Sequence, residues 1–125
     1  MSLKAKILNS RVKKMLVDMD VNENSTFNLR VECKARINPP KNKDDNTALL
    51  IMEARIFDPD STEIEIVCET YFIFEFEKIP NDYDSVAIDV CAPIAQTKVF
   101  DTIDKVLEGL GYPKLELANR TGTSK

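Results

Sequence analysis

The chain has 125 residues, a net charge of -4, and neither histidine nor tryptophan. A chain of this size can bury one core but hardly two, so a single domain over 1–125, ordered across about 3–118, is expected. Without imidazole there is no Ser-His-Asp or Cys-His catalysis and no His metal ligand. The acidic balance counts against a general nucleic-acid binder, which needs cations to neutralise phosphates.

The first segment reads two ways. Leu3, Ile7, Leu8, Val12, Met15, Leu16 and Met19 fit a helical stripe, and periodicity alone favours helix. The run from Val12 to Asp18 also reads as strand. Five Lys/Arg residues are spread through Met1 to Met19, so there is no uninterrupted apolar signal region. No apolar run approaches the roughly 18 residues that span a bilayer, so no membrane insertion is expected. A cytoplasmic location follows, with Cys33, Cys68 and Cys91 reduced and read as small buried hydrophobes.

From Phe27 to Ile37 the period is two. Phe27, Leu29, Val31, Cys33, Ala35 and Ile37 alternate with Asn28, Arg30, Glu32, Lys34 and Arg36, the pattern of a half-buried strand. Asn38-Pro39-Pro40 ends it. A second strand runs from Thr47 to Phe57, with Ala48, Leu50, Met52, Ala54 and Ile56 on one face. Asp58-Pro59-Asp60-Ser61 is a turn. A third strand runs from Thr62 to about Glu77, with Ile64, Ile66, Cys68, Thr70, Phe72, Phe74 and Phe76 on one face. The short turn makes these two strands an antiparallel hairpin.

After Ile79-Pro80-Asn81 the period becomes helical. Asp82 or Asp84 caps the start, and Ala87, Val90, Cys91, Ile94, Val99, Ile103, Val106, Leu107 and Leu110 form the apolar stripe. Pro93 should kink or divide this helix, and Gly109, Gly111 and Pro113 should end it. The fold class is therefore α+β: an antiparallel sheet covered on one face by a C-terminal helix.

Little of this supports catalysis, and no catalytic residue, metal site or cofactor is expected. There is no glycine-rich phosphate loop. Asp58 and Asp60 begin like a calcium loop, but Thr62 stands in the third ligand slot and Glu63 in the glycine position. Glu63, Glu65, Glu69, Glu75 and Glu77 form an acidic ladder on one strand face. It reads as a solvated outer face or as a docking face for a basic partner. Phe72, Phe74 and Phe76 read as packing beneath the helix. Leu49, Ile51, Phe57, Val67, Tyr71 and Ile73 are apolar on the opposite parity. One helix cannot cover both faces, so the chain self-associates or presents an apolar surface to a client.

Several residues together resemble the SecB-like export chaperones. They are Asn9-Ser10-Arg11-Val12-Lys13-Lys14, the hairpin from Thr47 to Glu77, and Val90-Cys91-Ala92-Pro93-Ile94. The Gly111-Tyr112-Pro113-Lys114-Leu115-Glu116-Leu117 tail completes the set. The likeness spreads from about Lys6 to Ala118, and order and spacing carry it. It implies a four-stranded antiparallel sheet in which Ala5 to Met19 is the first strand. It implies a homo-oligomer, a tetramer or a dimer, and an ATP-independent holdase for unfolded polypeptide clients. It implies an acidic sheet surface that docks a SecA-like motor, here Glu63, Glu65, Glu69 and Glu75. Asn119-Arg120-Thr121-Gly122 stands where the family carries an Asn-Phe and a last helix, and the crossover from Asp20 to Thr26 is short. Those departures fit a short, diverged member, either a toxin–antitoxin chaperone that handles an antitoxin or an interaction protein without holdase activity. Client contacts fall to Leu49, Ile51, Phe57, Val67, Tyr71 and Ile73, by burial of apolar side chains and strand pairing at an edge.

Overall fold

A computed structural model describes residues 3–20, 29–42 and 44–112, with backbone alone at Ser61 and Glu63. Phe27, the crossover beyond Asp20 and the tail from Pro113 lie outside the described residues. Four strands form one antiparallel sheet: β1 (Ala5–Met19), β2 (Arg30–Asn38), β3 (Thr47–Asp58) and β4 (Ser61–Phe76). Their spatial order is β1-β4-β3-β2, so β1 and β2 are the edges. A C-terminal helical segment comes after β4, made of α1 (Tyr83–Val86), a π turn (Ala87–Cys91) and α2 (Ala92–Gly109).

The first segment is strand, not the helix that its periodicity suggested. In β1, Leu8 and Lys13 are extra residues at two breaks in the register with β4. Each bulge flips the side-chain parity of the residues beyond it. Ala5 and Ile7 pair with Phe76 and Phe74, Ser10 and Val12 with Phe72 and Thr70, and Met15, Val17 and Met19 with Cys68, Ile66 and Ile64. All of these share the helix-covered face. An unbroken strand would have carried Asn9, Arg11 and Lys13 to that face instead. Two insertions into a period of two produce apolar spacings that imitate a helix.

The hairpin forms as its turn chemistry predicts. The Asp58 side chain accepts the Asp60 backbone N–H at 2.8 Å, and Phe57 faces Glu65 before the strands reverse. The helix-covered face of β3 and β4 is the core. Leu50, Met52, Ile56, Ile64, Ile66, Phe72, Phe74 and Phe76 are fully buried there. From α2 they meet Ala95, Val99, Phe100, Ile103 and Leu107. Each large side chain so buried contributes roughly 1.5–3 kcal/mol. The core therefore lies between the central strands and one helix.

The helix begins as its sequence directs. Asp82 accepts the backbone N–H groups of Asp84 and Ser85 and the Ser85 hydroxyl. Those hydrogen bonds hold its carboxyl below the usual carboxylate range. Pro93 divides the helix as expected. It lies in the first turn of α2, where a missing N–H costs nothing. Just before it the Ala92 N–H reaches the Ala87 carbonyl, five residues back, so the chain widens by one residue to take the ring. At the far end Gly111 adopts φ 93°, and its N–H bonds the Glu108 carbonyl. The Tyr112 N–H bonds the Leu107 carbonyl at 2.9 Å, completing a Schellman stop. The Tyr112 hydroxyl then donates to the Met19 carbonyl at 3.3 Å and ties the helix end to the end of β1.

Of the cysteines read as buried, Cys68 and Cys91 are buried and Cys33 is exposed. Cys33 is on the inner face of β2, beside Ala54. Burial pushes the Cys91 thiol up to about 11. Burial also raises Cys68, against a smaller opposing effect from the Thr70 hydroxyl at 3.4 Å.

Candidate functional site

The sheet face opposite the helix has no covering layer among the described residues. Register sorts its side chains into rows that cross all four strands. Asn9, Ile73, Leu49 and Asn38 form one row. Arg11, Tyr71, Ile51 and Arg36 form the next. Lys14, Glu69, Glu53 and Lys34 form a third. Leu16, Val67, Arg55 and Glu32 come next, and then Asp18, Glu65, Phe57 and Arg30.

The predicted apolar residues are thus brought together in part. Leu49 faces Ile73 and Ile51 faces Tyr71, so these four make one apolar square on the central strands. Leu49, Tyr71 and Ile73 are half-buried, while Ile51 is only 7% exposed and is closed over by its neighbours. Phe57 and Val67 are separated from the square by the Glu53–Glu69 row. Phe57 also has a cover, because the Arg55 guanidinium lies 4.2 Å from its ring centroid.

The acidic ladder is interleaved with cations. Arg55 donates from Nε and Nη2 to Glu65, both at 3.1 Å. Lys6 stands 3.4 Å from Glu75. Glu69 has Lys14 as its register neighbour on β1. The Glu63 side chain lies outside the described residues. Such exposed pairs contribute little to stability, typically about 0.2–1 kcal/mol, but they decide the local sign of the surface. On the open face acids predominate on β4, β3 carries Glu53 beside Arg55, and lysines and arginines outnumber acids on both edges. Sequence reasoning found the acids but missed the basic margins of Lys6, Arg11 and Lys14 on β1 and Arg30, Lys34 and Arg36 on β2. The β2 cations were visible as the even positions of its alternation, and the β1 set was hidden by the bulges.

On the helix side, a shallow groove of about 470 Å³ separates α2 from β1, lined by Ile7, Ile94, Thr97, Lys98, Asp101 and Asp104. Leu8, Val12 and Leu16 are exposed along β1, and Ile88 and Leu110 on the helical segment. No cluster of three or more His, Cys, Asp or Glu side chains suited to a metal occurs among the described residues. No helix among them is long and apolar enough to cross a membrane.

No protein-family model matches the chain, and no curated protein matches it in sequence. A solved structure does match. The Rv1957 SecB-like chaperone of Mycobacterium tuberculosis, in complex with a ChAD peptide from the Rv1956 HigA1 antitoxin, aligns with a TM-score of 0.72. The alignment covers 90% of this chain and 88% of that chain at 10% sequence identity. The chain has a SecB-like fold. A SecB-like sheet with one C-terminal helical segment accounts for the strand assignment of residues 5–19, which the resemblance implied and periodicity alone did not.

Proposed function

We propose that this chain is a SecB-like, ATP-independent holdase that keeps unfolded polypeptides from aggregating. The observation that carries this reading is the apolar square of Leu49, Ile51, Tyr71 and Ile73 on a sheet face that no other described element covers. Burial of apolar client side chains needs only such a surface and two sheet edges, with no reacting group. Phe57 and Val67 extend the contact once Arg55 swings aside. The fold likeness supports the reading, since the similar protein is a chaperone solved with an antitoxin peptide. An antitoxin segment is accordingly one client class for this chain, and an exported preprotein passed to a SecA-like motor is another. Glu63, Glu65, Glu69 and Glu75 are the proposed docking face for such a motor, by charge. Homo-oligomerisation in the cytoplasm completes the proposal. Its support is the large apolar side chains exposed on the β1 edge: Leu8 at the first bulge, Val12 on the helix side and Leu16 on the open face.

The test combines light-scattering mass with aggregation of a chemically unfolded client. Suppression without ATP is expected, and Tyr71→Ser or Ile73→Ser should weaken it several-fold. Unchanged client aggregation at excess protein would overturn the holdase reading. A stable oligomer with one specific partner and no suppression would favour the second reading, an interaction protein that keeps the fold alone.

A further inference from the structure

β2 is an edge strand whose two faces differ in chemistry. Its open-face side chains are Arg30, Glu32, Lys34 and Arg36, all exposed. None of the three cations is in an ion pair among the described residues. Its helix-side residues are Val31, Cys33, Ala35 and Ile37. Val31 and Ile37 are half-buried against the core, while the small Cys33 and Ala35 between them are exposed. That leaves an apolar step at the margin of the core. The strand pairs with β3 from Arg30 to Asn38 without a register break, whereas β1 is interrupted twice.

We propose that the outer edge of β2 takes an added client strand in which acidic and apolar residues alternate. The proposal rests on the client-binding reading and adds the edge and the chemistry. A strand's side chains alternate between faces, so an added strand sets every second residue beside the cationic row. The others lie over the apolar step at Cys33 and Ala35. Basic residues along an open edge deter indiscriminate pairing, and an acid-bearing strand is the one that overcomes them. A second copy of β2 is a competing occupant, since an antiparallel pair centred on Lys34 sets Lys34 against itself but Glu32 against Arg36. The open-face side chains Arg30, Glu32, Lys34 and Arg36 sum to a net positive charge, which favours an acid-bearing strand over a copy with the same charge.

The test is fluorescence anisotropy of the full chain with three labelled peptides of equal length. One alternates glutamate and valine, one groups the same glutamates at one end, and one alternates lysine and valine. The alternating acidic peptide is expected to bind about tenfold tighter than either other at low salt. N-methylating alternate peptide nitrogens should remove most of that binding, because ladder hydrogen bonds are lost. The double variant Lys34→Glu/Arg36→Glu changes exposed side chains only and should turn the preference toward the lysine peptide. Equal binding of the two acidic peptides, no binding of any, or an order indifferent to the reversal overturns the proposal. So does a dimer that this double variant dissolves, since β2 would then be a self-association edge. Client aggregation measured in parallel separates the two readings. Suppression without peptide discrimination removes the β2 inference alone, and discrimination without suppression removes the holdase reading alone.

Discussion

Glu53 on β3 and Glu69 on β4 stand directly opposite one another at the centre of the open sheet face. Like charges in that position destabilise a sheet, and here a lysine stands beyond each of them, Lys34 on β2 and Lys14 on β1. The row therefore reads base, acid, acid, base. Lys34→Gln should cost about 0.5 kcal/mol by removing the cation that adjoins Glu53 in this row. Urea denaturation in low salt measures it, and the difference should shrink at about 1 M salt, where the screening length is near 3 Å.

The core sets the stability of the whole fold. Phe72 is fully buried between the central strands and α2, and its ring centroid lies 6.1 Å from that of Phe74. Phe72→Ala should cost about 3–5 kcal/mol, a large share of the stability of a domain of this size. Ile56→Val at another fully buried site should cost only about 1 kcal/mol. Comparable losses from both, in denaturant midpoints, would place the core elsewhere.

Asp82 couples helix initiation to pH. Hydrogen bonds from Ser85 and Asp84 depress its folded-state pKa. A depressed carboxyl contributes stability above its unfolded pKa and loses it as pH falls through the folded value. Asp82→Ala should therefore lower the thermal midpoint at neutral pH, and the gap from wild type should narrow on acidification. A gap that stays constant into strong acid would mean that the carboxylate charge has no part in the cap.

The helix stop predicts a backbone effect with no lost contact. Nothing lies within 4 Å of a methyl group placed on Gly111, yet its φ of 93° disfavours any L side chain. Gly111→Ala should cost about 1 kcal/mol through conformation alone. Gly109→Ala, inside the helix and equally unobstructed, should be neutral or slightly stabilising. The two variants compared by thermal unfolding separate strain from packing.

Thiol accessibility tests the margin of β2. Cys33 is exposed, while Cys68 and Cys91 are buried with raised pKa values. A disulfide reagent at neutral pH should modify Cys33 rapidly in the native protein and reach the other two only on unfolding. Equal rates at all three sites would contradict the burial of Cys68 and Cys91.

Strand alternation over Thr47 to Phe57 and Thr62 to Glu77, the Asp58 turn, the Asp82 cap and the break at Pro93 were all legible in the chain alone. Each rests on residues close in sequence, where a period of two, a side-chain acceptor or a missing N–H acts locally. The first strand was not legible by period. Leu8 and Lys13 bulge only because β4 lies alongside, and the inner face rejects Arg11 in favour of Ser10 and Val12. Nor could the chain alone say which of its charges meet. Acid and base on the open face sort into rows through the order β1-β4-β3-β2, which joins segments far apart in sequence. An acidic, histidine-free composition excludes imidazole chemistry whatever the fold. The tertiary structure added how the charges of the open face sort: acids gather on β4, while lysines and arginines predominate along the β1 and β2 margins.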